Sequence, residues 1–196
     1  MNDEARTRGL DGGIEVVPAR GSDLDTVLSI LEEAALWLAR REIEGWQPGS
    51  FSRRRIADRI ARGEMYLARL AEQTFGTFAL QWSDEEVWGD APEDAGYIHG
   101  LAIRRDFAGL GLGRELLRWA EERAAQSGKK YLRLDCLAEN RRSRSNGYYE
   151  RAGFRRRGRA RVWGLDVCLY EKKVGVVGAG NNVSPAILFR RCFWIR

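Results

Sequence analysis

The spacing of apolar residues changes several times along the chain, and each change marks a predicted element. Residues 13–20 read as a first strand that Pro18 breaks. Leu24, Val27, Leu28, Leu31, Ala35 and Leu38 then fall on one face of a helix, with Ser22 or Asp23 placed to cap it. Residues 44–51 carry turn formers around Trp46 and Phe51, after which Ser52 opens a short second helix to about Ala61. Ile56 and Ile60 face inward there, while Arg53, Arg54, Arg55 and Arg59 are expected mostly in solvent. Past Gly63 the period drops to two over 65–70 and 74–82, which predicts an antiparallel hairpin. An acidic loop, 83–94, separates the hairpin from a strand at 96–104. A helix over 112–126 follows, stopped by Ser127-Gly128, and then an apolar strand at 130–137. Residues 140–154 predict a short helix closed by Gly153, with a basic strand from Phe154 and a last strand at 163–171. Strands that alternate with helices and finish in a hairpin give a mixed α/β class.

The junction between the strand at 96–104 and the helix at 112–126 carries the clearest chemical signal. Gly109, Gly111 and Gly113 leave successive amides uncovered by side chains, and the helix start adds unpaired donors and the positive end of its dipole. Such a turn suits a phosphate group. It is not a Walker A loop, which needs Gly-Lys-Ser/Thr, nor a dinucleotide fingerprint, which needs glycine where Arg114 stands.

Composition narrows the remaining classes. A chain of 196 residues with 44% apolar content can bury one sizeable core. No apolar run is long enough to span a membrane, and residues 1–12 read as a polar, disordered lead-in instead of a signal peptide, so a cytoplasmic protein without a membrane partner is expected. Cys136, Cys168 and Cys192 lack CxxC spacing, which supports neither a disulfide framework nor a metal site. The net charge of +5 is uneven, with arginine runs at 53–55, 141–144 and 155–161 set against the acidic segment at 84–94. No nucleic-acid-binding motif accompanies those runs, so no nucleic-acid partner is expected. Residues 174–196 form a C-terminal extension to a main domain at 13–173. Its apolar end, Ile187-Leu188-Phe189 and Phe193-Trp194-Ile195, adds a strand, docks on a second copy in a homodimer, or stays disordered.

Three features together resemble the GNAT superfamily of N-acetyltransferases. Ala108-Gly109-Leu110-Gly111-Leu112-Gly113 is similar to that family's Arg/Gln-x-x-Gly-x-Gly/Ala loop, and the strand Tyr97 to Ile103 precedes it as in the family. Tyr148-Tyr149-Glu150-Arg151-Ala152-Gly153-Phe154 looks like the family's Tyr-x-x-x-Gly-Phe helix exit. The resemblance implies a mostly antiparallel central sheet flanked by helices, in the order β-α-α-β-β-β-α-β-α-β-β, with acetyl-CoA as co-substrate. It implies that the pantetheine arm pairs with the backbone of Leu101, Ala102 and Ile103 where this strand leaves the next one. The diphosphate then falls on the amides of Gly109, Leu110, Gly111, Leu112, Gly113 and Arg114, with Asn140 and Tyr149 as further cofactor contacts. Arg104, Arg105 and the arginines of 141–144 are candidates for the remaining phosphate. The chain departs from the pattern twice. Ala108 replaces the loop's Arg or Gln, and Asn140 lies nine residues before Tyr149, about two more than the family spacing, which leaves Asn146 as an alternative.

The activity implied is direct transfer of an acetyl group to a primary amine, of a small molecule, in a ternary complex. An amine like that of lysine has a pKa near ~10.4, so freeing its lone pair at pH 7 costs roughly 4 to 5 kcal/mol. A base is therefore required. The candidates are His99, the only histidine, with Asp135 and Glu139, although a lone strand histidine is more often structural. Tyr149 is the candidate acid for the departing thiolate, and Tyr148, pointing another way from the same helix, is assigned to the core. Cys136 is read as core, and Trp46 and Phe51 either plug the core edge or line an acceptor pocket. Acetylation of protein lysines or N-termini, and a non-catalytic acyl-CoA-binding module, are the alternatives.

Overall fold

The computed structural model describes residues 13–138, 145–162 and 164–175. The lead-in at 1–12, Glu139, Asn140, the arginines of 141–144 and the apolar end of the tail lie outside the described residues. The elements are β1 (Ile14–Pro18), α1 (Leu24–Arg40), α2 (Arg53–Ala61), β2 (Met65–Leu70), β3 (Gln73–Gln81), α3 (Glu85–Trp88), β4 (Ala95–Ile103), α4 (Leu112–Gln126), β5 (Tyr131–Leu137), α5 (Ser145–Arg151), β6 (Arg155–Val162) and β7 (Leu165–Lys173). The strands form one sheet in the order β1-β2-β3-β4-β5-β7-β6, antiparallel except for β4 and β5.

Each face of the sheet buries one apolar set. Leu112, Leu116, Leu117, Ala120 and Ala124 of α4 pack on Phe75, Phe78, Ile98, Leu132 and Leu134. Val27, Ile30 and Leu31 of α1 and Ile56 and Ile60 of α2 cover Leu67, Ala79 and Ala102 on the other face. Trp46 and Phe51 meet edge to face at 5.5 Å against this second layer, so they plug its edge and do not line the cavity described below.

Two local differences from the sequence pattern have clear causes. A 3-10 turn at Gly21–Asp23 precedes α1, and the Asp23 carboxylate turns back to accept from the Arg20 amide at 2.8 Å, so no side-chain cap forms at the start of α1. The acidic loop holds the one-turn helix α3, capped by Asp84, whose Oδ1 accepts from the Val87 amide at 3.3 Å. Val87 packs on Val162 and Val167, which draws this segment across the sheet face toward β6 and β7.

The feature that positions the site is a bulge in β4. Ala79 faces His99 but Thr77 faces Ala102, so β4 spends three residues where β3 spends two, and Gly100 takes up the extra one at φ +61°. The parallel pairing of β4 with β5 stops at Ile98 and Leu134, whereas β5 stays paired with β7 as far as Leu137 and Val167. Beyond Ile98 the two central strands therefore part.

Candidate active site

The parting of β4 from β5 leaves backbone groups without a strand partner. Arg104 donates its amide to the Phe75 carbonyl at 2.8 Å. Amides alternate along a strand, so Ala102 also faces β3, while Leu101 and Ile103 turn their amides and carbonyls to the gap. An amide-rich chain can enter there as an added strand.

The loop at the gap's edge is built for an anion. Gly109 and Gly111 adopt φ +84° and +78°, a region costly to a side chain. Gly111 stands at the N-cap of α4 with no side chain to cap it, and Arg114 donates to the Gly111 carbonyl at 2.9 Å. Among the described residues none accepts from the amides of residues 109–113. A diphosphate fits these open donors and the dipole of a 15-residue helix, which is the test that acetyl-CoA must pass here. Arg104 and Arg105 are placed differently from the phosphate contacts considered above. The Arg104 guanidinium bonds Glu33 at 2.8 Å and Ser29 at 2.7 Å on α1, and Arg105 stacks on Trp37 at 4.2 Å.

The two tyrosines of α5 divide their work in an unexpected way. A Cβ on Gly113 would lie only 2.5 Å from the Tyr148 hydroxyl, so Tyr148 reaches the start of α4 and not only the core. Tyr149 rests its ring on Tyr148, Phe154 and Tyr170, and burial pushes its phenol well above the ordinary range. A phenol so shifted keeps its proton at neutral pH and can donate it. Asn146 is already committed: it donates to the Leu137 carbonyl at 3.1 Å and accepts from Tyr170 at 3.0 Å and from Cys136 at 3.3 Å. Burial pushes the Cys136 thiol up to about 12, which suits the inert core role expected of it.

His99 projects from β4 just before the bulge, onto the α2 side of the sheet. Its Nε2 lies 3.2 Å from Asp84 Oδ2 and its Nδ1 lies 3.8 Å from Asp135 Oδ1. Burial raises the Asp135 pKa, the His99 ring lowers it, and the nearby Asp84 raises it again. The Asp84 side chain is only 7% exposed, and its Oδ2 and the His99 Nε2 are buried with no hydrogen-bond partner. One ligand atom from each of these three side chains lies within 4.8 Å of the others. Because the imidazole offers opposite nitrogens to the two carboxylates, the arrangement suits proton movement better than a shared ion. A cavity of about 340 Å³ opens beside it, lined by α2, the end of β3 and α3. Sequence reasoning missed Asp84, since nothing in the letters ties a loop carboxylate to a histidine fifteen positions on. The one available signal was its helix-capping position before Glu85-Glu86-Val87.

Comparisons with known proteins agree with this geometry. Residues 31–154 match the acetyltransferase (GNAT) family. The chain is 32% identical over 151 residues to the uncharacterized N-acetyltransferase YesJ of Bacillus subtilis, covering 72% of this chain and 82% of that one. Among solved structures, a GNAT-family acetyltransferase of Listeria monocytogenes superposes with a TM-score of 0.70 at 25% identity, over 82% of this chain and 94% of its own. The PaiA N-acetyltransferase of Thermoplasma acidophilum, solved with coenzyme A, shares the fold at a TM-score of 0.63 and 21% identity, over 82% and 98%. YncA of Salmonella typhimurium, a structure that holds acetyl-CoA, does so at 0.61 and 18%, over 87% and 99%. No helix among the described residues is long and apolar enough to cross a membrane. With a splayed central strand pair, an open anion loop and these relatives in agreement, the chain belongs to the GNAT family and is an acetyltransferase that uses acetyl-CoA.

Proposed function

We propose that the acceptor is a primary amine of a small molecule and that His99 takes the amine's proton as acetyl transfer proceeds directly from acetyl-CoA. The observation that carries this reading is the placement of His99 between Asp84 and Asp135, one residue past the last β4–β5 pair and on the wall of a cavity of about 340 Å³. A volume of that size matches small ligands. Acetyl-CoA supplies an activated acyl group and a thiol leaving group. The gap-facing backbone of Leu101 and Ile103, with Ala102 between them, would align the pantetheine arm. The open amides of Gly109, Leu110, Gly111, Leu112 and Gly113 would hold the diphosphate, whereas the Arg114 amide expected to join them is already given to the Gly111 carbonyl. His99 Nε2 accepts a proton from the bound ammonium, and the carboxylates of Asp84 and Asp135 stabilise the imidazolium that forms. Tyr149 gives a proton to the thiolate and takes up the second proton that the nitrogen sheds as the amide forms, so one proton ends on the thiol and one on the imidazole. Asn140, the remaining cofactor contact considered in the sequence, lies outside the described residues.

The test is thiol release from acetyl-CoA with a panel of small primary amines, run beside lysine peptides and peptides with free N-termini. Faster release with small amines, and an N-acetyl product by mass spectrometry, is the expected result. Release with peptides alone would move the acceptor to proteins.

A further inference from the structure

The cavity walled by His99 has ends of opposite charge. Arg55, Arg59 and Arg62 stand at i, i+4 and i+7 of α2 and its C-terminal turn, so one helix face brings all three to this cavity. Arg55 reaches Glu86 of α3 at 3.6 Å, and Arg62 grips Glu64 through two bonds of 2.8 and 2.9 Å. Arg59, between them, is partly buried, and its guanidinium forms no hydrogen bond or ion pair with any described residue. Burial first, then the like charge of Arg55, push its guanidinium below the ordinary arginine range, while Glu64 and Asp84 pull the other way without bonding it. A hydrogen-bonded anion would offset the remaining cost of holding the cation there.

At the other end, Asp84 Oδ2 and His99 Nε2 lie 3.2 Å apart, both buried and neither with a hydrogen-bond partner among the described residues. An ammonium group placed there gives each of them a partner. A simple amine would leave the Arg59 guanidinium without a hydrogen bond, and a simple acid would leave Asp84 Oδ2 without one. A molecule with both groups satisfies both ends.

We propose that Arg59 is an anion subsite, and that the acceptor amine carries a carboxylate or phosphate which binds Arg59 while its amine lies at His99. This rests on the reading of the cavity as the acceptor site. Asp58, whose carboxylate lies 4.0 Å from Arg54, and the exposed Glu85 share the cavity's lining, and both would oppose an anion that strayed from the guanidinium.

Three matched pairs test the proposal: L-phenylalanine against phenethylamine, L-lysine against cadaverine, and phosphoethanolamine against ethanolamine. The native enzyme is expected to prefer the anionic member of at least one pair by about tenfold or more in kcat/KM. Preference in the first two pairs identifies a carboxylate, and in the third a phosphate. Arg59→Gln should raise KM for the preferred member by about tenfold or more and leave its neutral partner unchanged, while Arg59→Lys restores part of the loss. Equal or better use of the neutral member in all three pairs, or an equal loss for both members in Arg59→Gln, overturns the proposal. Thermal stabilisation by the same six compounds supplies a readout independent of turnover. If no amine is acetylated, the small-amine reading fails. The subsite is then upheld by stabilisation from an anionic member that Arg59→Gln abolishes, and overturned by shifts that are absent or the same in both proteins.

Discussion

At the scale of single residues, function turns on which groups hold protons. Tyr149 keeps its proton because burial disfavours the phenolate, so at neutral pH it can offer a departing thiolate a hydrogen bond from a protonated hydroxyl. Tyr149→Phe should lower kcat by roughly 100-fold with little change in KM for acetyl-CoA, measured by steady-state thiol release. Asp135 bears the opposite cost. Its raised pKa means that the folded chain binds the proton more tightly than the unfolded chain does, so stability is lost as pH climbs from the ordinary carboxyl value of 3.8 through the folded value. Asp135→Asn should therefore raise Tm at neutral pH, lose that advantage in acid where the carboxyl is protonated in both states, and lower kcat; thermal melts across pH read the first two. Residue types were legible in the sequence at His99 and Asp135, which the strands bring to 3.8 Å. Asp84 and Arg59 were not. One sits in a loop whose position depends on Val87 packing against β6 and β7, and the other sits in a run of arginines that looks solvated until the opposite wall is in place.

At the scale of elements, the turn into α4 is the part most sensitive to backbone chemistry. Nothing lies within 4 Å of a Cβ added at Gly111, so the penalty for a side chain there is conformational and not steric crowding. Gly111→Ala should cost about 1 to 2 kcal/mol of stability and raise KM for acetyl-CoA, which denaturant melts and kinetics check separately. The helices and strands with clear periodicity were legible to within one or two residues, and α4 matches its predicted span of 112–126. The short α3 was not, because four residues hold no helical period and only the cap and the buried Val87 define it. The bulge at Gly100 was equally hidden. Its cause is a mismatch of register with β3, a strand some twenty residues earlier, and no local pattern reports that.

At the scale of the whole molecule, the opening between β4 and β5 needs a closed end to pivot from, and Arg133 provides it. This side chain, 6% exposed, bonds Glu171 on β7 at 2.9 Å, the Tyr97 hydroxyl on β4 at 2.8 Å and the Pro92 carbonyl at 3.0 Å. Arg133→Ala leaves Glu171, itself 13% exposed, to Arg157 at 3.4 Å and takes the donor from the Pro92 carbonyl, and should cost about 1 to 3 kcal/mol in denaturant melts, with kcat per folded molecule much less affected. Class and motif order were legible in the sequence, but the insertion of β7 between β5 and β6 was not, since spacing alone does not say which strand pairs with β5. Val174, placed in the extension by the sequence reading, is buried and donates to the Lys130 carbonyl at 2.9 Å, so the packed unit runs at least that far.

The central claim is that His99 removes the amine's proton, and the pH dependence of kcat/KM for a turned-over amine tests it most directly. His99→Gln should lose most of its rate near neutral pH and recover toward the native rate as pH approaches the amine's own pKa, where free amine no longer needs a base. Profiles of the same shape and height for the native enzyme and His99→Gln would contradict the account.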